Sequence, residues 1–378
     1  MASINRFAPE RGLRASQRAL RSILIGSSLA IWVASGAWAQ AQIHIDVALQ
    51  ENVSDGRLSA HGYDFDAFSV DSILVDKRVF VRTVGLDGNL RLTGDPGFVS
   101  RNDPTEIDPP GLAAPTGSQG LFFNVLTPPA STMPAMGGRA LSYWSGSGPV
   151  TWGTTPDADE GVAIVRGSLF NPFDFVLVYD TPQPIEGFAI GGATSGGSLH
   201  EHVNFLMLPD NGSVPPAGPD NGVYATLLEL SYPSYTEWIP VWLGFSAFAP
   251  AGARDATLTD LATNFQFPLC SDGIDNDKDG TIDAGGDAGC ADANDMSERG
   301  APTECDNGID DDGDGFTDFH DLDGDGASDW RGDPSCLHPT NPREFAVVPE
   351  PGVAMALGVG VIALAGAAGR GRRRSRTC

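Results

Sequence analysis

The chain has 378 residues, five cysteines and a formal net charge of −26, from 49 acidic and 23 basic residues. So large an acidic excess repels nucleic acid and anionic lipid and attracts divalent cations, so we expect no nucleic-acid partner. The length is sufficient for one large hydrophobic core with smaller segments beside it.

The N-terminal segment has the features of an export signal. Several arginines precede an apolar stretch over 23–38, and Ala37-Trp38-Ala39 supplies the small residues that a signal peptidase requires. We therefore expect residues 1–39 to be removed, with the mature chain beginning at Gln40.

Residues 40–268 are predicted to form a β-rich head. Apolar stretches separated by Gly and Pro indicate short strands, and almost nothing indicates a long amphipathic helix. The predicted stretches are 43–49, 75–84, 121–126, 162–165, 173–179, 203–208, 224–230 and 241–248. This pattern predicts a mainly β protein with a β-sandwich head of jelly-roll-like form, and a closed barrel is the alternative.

Two predicted strands of the head carry candidate ligands for a transition metal. Strand alternation places His44 and Asp46 on one face, and likewise His200 and His202. If the two strands approach each other, these four side chains could bind zinc, copper or iron, with His61 as a further candidate. The alternative is a solvent-facing surface of hydrogen-bonded histidines.

The second histidine strand also resembles known proteins. His200-x-His202-x-x-Phe205, followed by Gly222-Val223-Tyr224, resembles a pattern of histidine-bearing, surface-anchored bacterial domains. The resemblance implies metal handling. The insertion between the two parts, which contains Pro209 and Pro215, departs from that pattern.

Residues 269–340 contain a duplicated, Asp-rich unit bracketed by cysteines. Four cysteines in an exported chain indicate two disulfides, and three pairings are possible. We favour Cys270 with Cys290 and Cys305 with Cys336, because each pair brackets one copy of the repeat.

The repeat has the spacing of a calcium loop. Carboxylates at positions 1, 3 and 5, a glycine at 6, a carbonyl at 7 and an oxygen at 9 can converge on one hard cation. The candidate ligands are Asp275, Asp277, Asp279, Asp283, Asp310, Asp312, Asp314, Phe316 through its carbonyl, Asp318, Asp321, Asp323, Asp325 and Asp329. The first loop has glycine at position 12, so Asp287 or water would complete its shell.

These loops resemble thrombospondin type 3 repeats and the Asp-rich units of bacterial surface proteins. The resemblance implies Ca²⁺ binding in an irregular, disulfide-linked stalk. The alternative is a disordered acidic linker.

A linker over 341–348 leads to a C-terminal segment over 349–378. Pro349-Glu350-Pro351 precedes an apolar run to Gly369 and an arginine cluster. This order resembles the PEP-CTERM sorting signal, which implies a transmembrane helix and cleavage by an exosortase near the Pro-Glu-Pro triplet. The alternative is an ordinary C-terminal membrane anchor.

Together these features favour a non-enzymatic exported protein. We expect it to be held briefly in the inner membrane and then to reach the cell surface or extracellular matrix. A structural or adhesive role beside extracellular polysaccharide or surface proteins is favoured, and zinc or other transition-metal binding is the first alternative. Polysaccharide binding or processing is the second, with Trp144, Trp152, Trp238 and Trp242 as possible sugar-stacking groups.

Overall fold

The computed structural model of the protein describes the following residues: 45–52, 57–64, 73–87, 90–100, 112–115, 120–168, 171–194, 197–208, 219–233, 235, 237–300, 303–314, 316–321, 327–328 and 332–344. Several features predicted from the sequence lie outside these ranges: the signal peptide, His44, Asp323, Asp325, Asp329, and the triplet of Pro349, Glu350 and Pro351 with the tail that follows it. Within these ranges the protein is mainly β, as predicted, with 17 strands and one α-helix.

The strands are β1 (Ile45–Asn52), β2 (Arg57–Asp64), β3 (Ile73–Leu74), β4 (Val79–Thr83), β5 (Gly85–Asp87), β6 (Leu90–Thr93), β7 (Phe98–Ser100), β8 (Leu112–Ala113), β9 (Gly120–Leu126), β10 (Ser142–Trp144), β11 (Gly161–Ser168), β12 (Asn171–Tyr179), β13 (Ile185–Gly192), β14 (Leu199–Glu201), β15 (Asn204–Leu208), β16 (Gly222–Ser231) and β17 (Ile239–Ala247). Each of the eight predicted stretches overlaps one of these strands. The histidine strand predicted at His200 corresponds to β14, whereas short strands such as β7 lie outside the predicted set.

The strands form three sheets. The first has the order β14-β7-β1-β2-β3, with β8 also paired to β1. The second has the order β13-β9-β16-β17-β4, with β10 also paired to β16, and the third has the order β12-β11-β15-β6-β5. Most pairs are antiparallel, but β1 pairs with β7, and β17 with β4, in parallel.

One large hydrophobic cluster joins residues of all three sheets. Val47 of the first sheet, Phe245 of the second and Phe205 of the third all belong to it and are fully buried. Strands β16 and β17 are buried along their whole length because a second cluster covers their other face. Alternating burial along β9 follows its alternating apolar side chains.

The helix α1 (Ala253–Asn264) covers part of the second sheet. It contacts β4 and β17 and buries Ala253, Thr257 and Leu261, which recur every fourth residue on one face. In the part of the chain that the structure describes, no helix is long and apolar enough to span a membrane.

The first Asp-rich unit packs against the head, whereas the sequence led us to expect a separate stalk. The Trp238 amide donates to the Asn276 carbonyl at 2.7 Å, and Lys278 Nζ lies 3.1 Å from a carboxylate oxygen of Glu229 on β16. Leu269 and Ile274 belong to the hydrophobic clusters of the head. The core therefore continues past the expected boundary at residue 268.

The Asp-rich segment itself is irregular and cross-linked. Its regular structure in the described ranges is limited to two 3₁₀ turns, Leu269–Ser271 and Glu304–Asp306. Disulfides join Cys270 to Cys290 and Cys305 to Cys336, which is the favoured pairing.

Candidate metal centre

Three predicted metal ligands come together at one end of the first sheet. Asp46 lies on β1, His200 lies on β14, and His202 follows β14 directly. Strand β7 lies between β1 and β14 and pairs with both. Because Gly97 precedes β7 and has no side chain, the imidazole of His202 and the carboxylate of Asp46 can meet across it.

The separations of the three donor atoms are compatible with one shared metal ion. Asp46 Oδ2 lies 3.2 Å from His200 Nε2 and 3.8 Å from His202 Nε2. The two Nε2 atoms lie 3.1 Å apart. Tetrahedral coordination with Zn–N and Zn–O bonds of about 2.0–2.1 Å requires donors about 3.3–3.4 Å apart. A point equidistant from the three atoms lies about 2.0 Å from each.

Hydrogen bonds orient two of the three ligands. The Gly97 amide donates to Asp46 Oδ1 at 2.8 Å, and this bond directs Oδ2 toward the histidines. His202 Nδ1 lies 2.9 Å from the Gly94 carbonyl, which can only accept a hydrogen bond. Nδ1 therefore donates this hydrogen bond, and Nε2 is the ring nitrogen that faces His200 and Asp46. Asp95 Oδ1, 3.6 Å from Nδ1, favours the same tautomer.

The site is closed on the Asp46 side and open on the histidine side. Asp46 is fully buried, whereas the side chains of His200 and His202 are 44% and 36% exposed. Three protein donors leave a position for water or another ligand, as in zinc sites that are not purely structural. An ion bound here would be reachable from solvent.

The other candidate histidines of the head do not join this group. His44 lies outside the described residues. His61 Nε2 is 2.7 Å from the Ser59 hydroxyl, and His61 Nδ1 accepts the Asp76 amide at 3.1 Å. Both ring nitrogens are therefore engaged, so His61 is a hydrogen-bonded histidine of β2 and not a ligand.

Replacing Gly97 with alanine should disrupt the site. A Cβ at this position would lie 2.6 Å from His202 Cε1 and 2.7 Å from Asp46 Oδ2, so the donors must move apart. Loss of orienting interactions typically lowers metal affinity by about 10- to 100-fold. Competition with a chromophoric zinc chelator measures the loss. Gly94→Ala is the matched control, because a Cβ there meets nothing within 4 Å; equal affinities in the two variants would contradict the prediction.

In the Asp-rich segment, the structure brings together the first predicted set of calcium ligands. Donor atoms of Asp275, Asp277 and Asp279 lie within 4.8 Å of one another. The predicted ninth-position ligands are used differently. Asp283 accepts the Gly273 amide at 3.0 Å, and Asp318 accepts the amides of Asn307 and Gly308 and pairs with Arg299.

The second predicted loop is held by short-range hydrogen bonds from its carboxylates. Asp310 accepts the Gly313 amide at 2.7 Å, Asp312 accepts that of Asp314 at 2.9 Å, and Asp314 accepts that of Phe316 at 3.0 Å. Asp321 is largely buried at 7% exposure, and its amide donates to the Lys278 carbonyl in the first loop. This bond joins the second unit to the first.

Comparisons of the chain with models of protein families, with curated proteins and with solved structures find no significant match.

Proposed function

We propose that this protein is an exported metal-binding protein whose head holds a transition-metal ion of the zinc class between Asp46, His200 and His202. The observation that carries the proposal is the spacing of the three donor atoms, 3.1–3.8 Å. That spacing suits a common bond of about 2.0 Å to all three. The proposal concerns binding of the ion and not catalysis.

The donor set favours a transition metal over calcium. Two imidazole nitrogens and one carboxylate suit zinc or iron(II), whereas calcium and magnesium prefer oxygen ligands throughout. Zinc would be held by three protein ligands, with the exposed side of His200 and His202 left for a water or an exchanging ligand. An accessible ion supports acquisition or exchange of the metal more than a permanent structural role.

Export and surface sorting complete the proposal. They are supported by the signal-peptide pattern, the order of the C-terminal segments and the two disulfides, which persist in oxidising compartments. We propose that signal peptidase and an exosortase process the chain, and that the mature protein resides at the cell surface or in a polysaccharide-rich matrix. We also propose that the head is a β-sandwich. This architecture is supported by the single hydrophobic cluster in which side chains from the three sheets meet.

The sugar-binding alternative receives less support from the tryptophans. The four candidates are at most 9% exposed and pack in the interior or against the Asp-rich segment. They are Trp144, Trp152, Trp238 and Trp242. A stacking platform for sugars needs exposed rings.

Metal analysis of the exported chain tests the proposal. After zinc loading and exhaustive dialysis, the wild-type protein should retain one zinc ion per chain, and His200→Ala/His202→Ala should retain almost none, because a single carboxylate cannot hold the ion. His338→Ala is the matched control, since this exposed histidine bonds to Thr340 in the Asp-rich segment. Equal zinc content in the double variant and the wild type would refute the proposal.

A further inference from the structure

A second cluster of donors lies where the two Asp-rich units meet. Donor atoms of Asp279, Asp287 and Asp306 lie within 4.8 Å of one another. Their side chains are only 3%, 5% and 0% exposed. The sequence pattern assigned Asp279 to the first loop, mentioned Asp287 only as a substitute at its end, and did not assign Asp306.

Each of the three carboxylates has a buried oxygen without a hydrogen-bond donor. These atoms are Asp279 Oδ2, Asp287 Oδ2 and both oxygens of Asp306. The opposite oxygens are fixed locally: Asp279 Oδ1 accepts the Thr281 amide at 2.7 Å, and Asp287 Oδ1 accepts the Gly289 amide at 2.6 Å. The turns therefore hold the free oxygens in place inside the cluster.

Positive charge from the described side chains does not balance the cluster. The buried Arg299 acts electrostatically on Asp306 and Asp287, but burial outweighs this effect and the pKa of each carboxyl is raised. Its guanidinium forms ion pairs with Asp277 and Asp318 instead. Within the described ranges, no lysine or arginine forms an ion pair with any of the three carboxylates. Since a buried carboxylate without a partner is strongly unfavourable, the cluster must be protonated or must hold a cation.

We propose that Asp279, Asp287 and Asp306 form a calcium site that joins the two disulfide-closed units of the Asp-rich segment. All donors are carboxylate oxygens, the ligands of a hard cation. With Ca–O bonds of about 2.4 Å, ligand oxygens can lie up to about 4.8 Å apart. The three donors lie within that separation of one another. This site is independent of the proposed zinc site in composition and position.

The site has a structural consequence because its ligands come from both units. Asp279 and Asp287 lie between Cys270 and Cys290, whereas Asp306 follows Cys305, the first cysteine of the second disulfide. The first unit is fixed to the head through Asn276 and Lys278. Calcium at this junction would therefore fix the second unit relative to the head.

The proposal is tested by calorimetric titration of the full exported chain with calcium. Bound metal is first removed with a chelator. Asp306→Asn should lose one site, or bind calcium at that site at least about tenfold more weakly, because a charged ligand is removed. Asp292→Asn is the matched control, since Asp292 is exposed and only caps the Asn294 amide. Unchanged stoichiometry and affinity in Asp306→Asn would overturn the proposal.

Thermal melting separates this role from a merely structural one. In the presence of chelator, the melting temperature of Asp306→Asn should be at least as high as that of the wild type, because one buried carboxylate has been removed. When calcium is added, the melting temperature of the wild type should rise and that of Asp306→Asn should not. Asp287→Asn should behave in the same way. Equal destabilisation of both variants with and without calcium would show that the carboxylates only support the fold, and would overturn the site. Zinc content should be unaffected in all variants.

Discussion

Replacing Arg299 with leucine should lower the free energy of unfolding by about 3–5 kcal/mol, because it leaves buried carboxylates without a counter-charge. The Arg299 side chain is 2% exposed and pairs with Asp277 and Asp318, both fully buried. Its Nη2 also donates to the Asp277 carbonyl at 2.9 Å. Arg299 thereby connects the first Asp-rich unit, through Asp277, to the second, through Asp318.

Urea denaturation in excess calcium, with both disulfides intact, measures this loss. Arg254→Leu is the matched control. Arg254 pairs with Asp255 at 2.9 Å, but the two side chains are 44% and 70% exposed, and a surface pair of this kind contributes about 0–1 kcal/mol. A loss for Arg299→Leu no larger than that for Arg254→Leu would contradict the assignment of Arg299 as a buried connection.

The sequence predicted the residue types of the candidate metal centre and left the approach of its two strands as a condition. Strand alternation correctly placed His200 and His202 together, and it identified Asp46 as a polar residue in an apolar strand. Their approach depends on β7, a strand of three residues inserted between β1 and β14, and on the missing side chain of Gly97. Pairing between distant short strands leaves no local pattern, since it depends on the packing of the whole sheet.

In the Asp-rich segment, local spacing was informative and long-range packing was not. The loop positions of Asp275, Asp277 and Asp279 brought these side chains together, and the repeat predicted the disulfide pairing. Asp306 lies outside the repeat's ligand pattern and reaches the cluster only because the second unit folds back on the first. The packing of the first unit on the head depends on charge complementarity between Lys278 and Glu229, which no single segment reveals.

The metal-free protein should lose stability as the pH rises from about 4 to 8. Burial raises the pKa of Asp272 from 3.8 to about 8 and that of Glu298 from 4.5 to about 9. A carboxyl whose folded pKa exceeds its unfolded value stabilises the fold below the unfolded pKa, and this contribution is lost as the pH rises through the folded pKa. Each such group contributes a slope of about 1.4 kcal/mol per pH unit within its window. His61, whose pKa burial lowers, acts in the opposite direction, because its contribution to stability is lost as the pH falls.

Asp272→Asn isolates the contribution of one carboxyl. Asp272 is 2% exposed at the contact between the head and the Asp-rich segment, where the Thr132 hydroxyl donates to its carbonyl at 2.9 Å. Asparagine resembles the protonated carboxyl and can still accept the Ile274 amide at Oδ1. In chelator, the variant should therefore match the wild type near pH 4 and exceed it in stability by several kcal/mol near pH 8. Asp255→Asn, at an exposed position, should show no such divergence. A difference between Asp272→Asn and the wild type that stays constant across this range would contradict the prediction, because Asp272 would then be charged in the folded protein throughout.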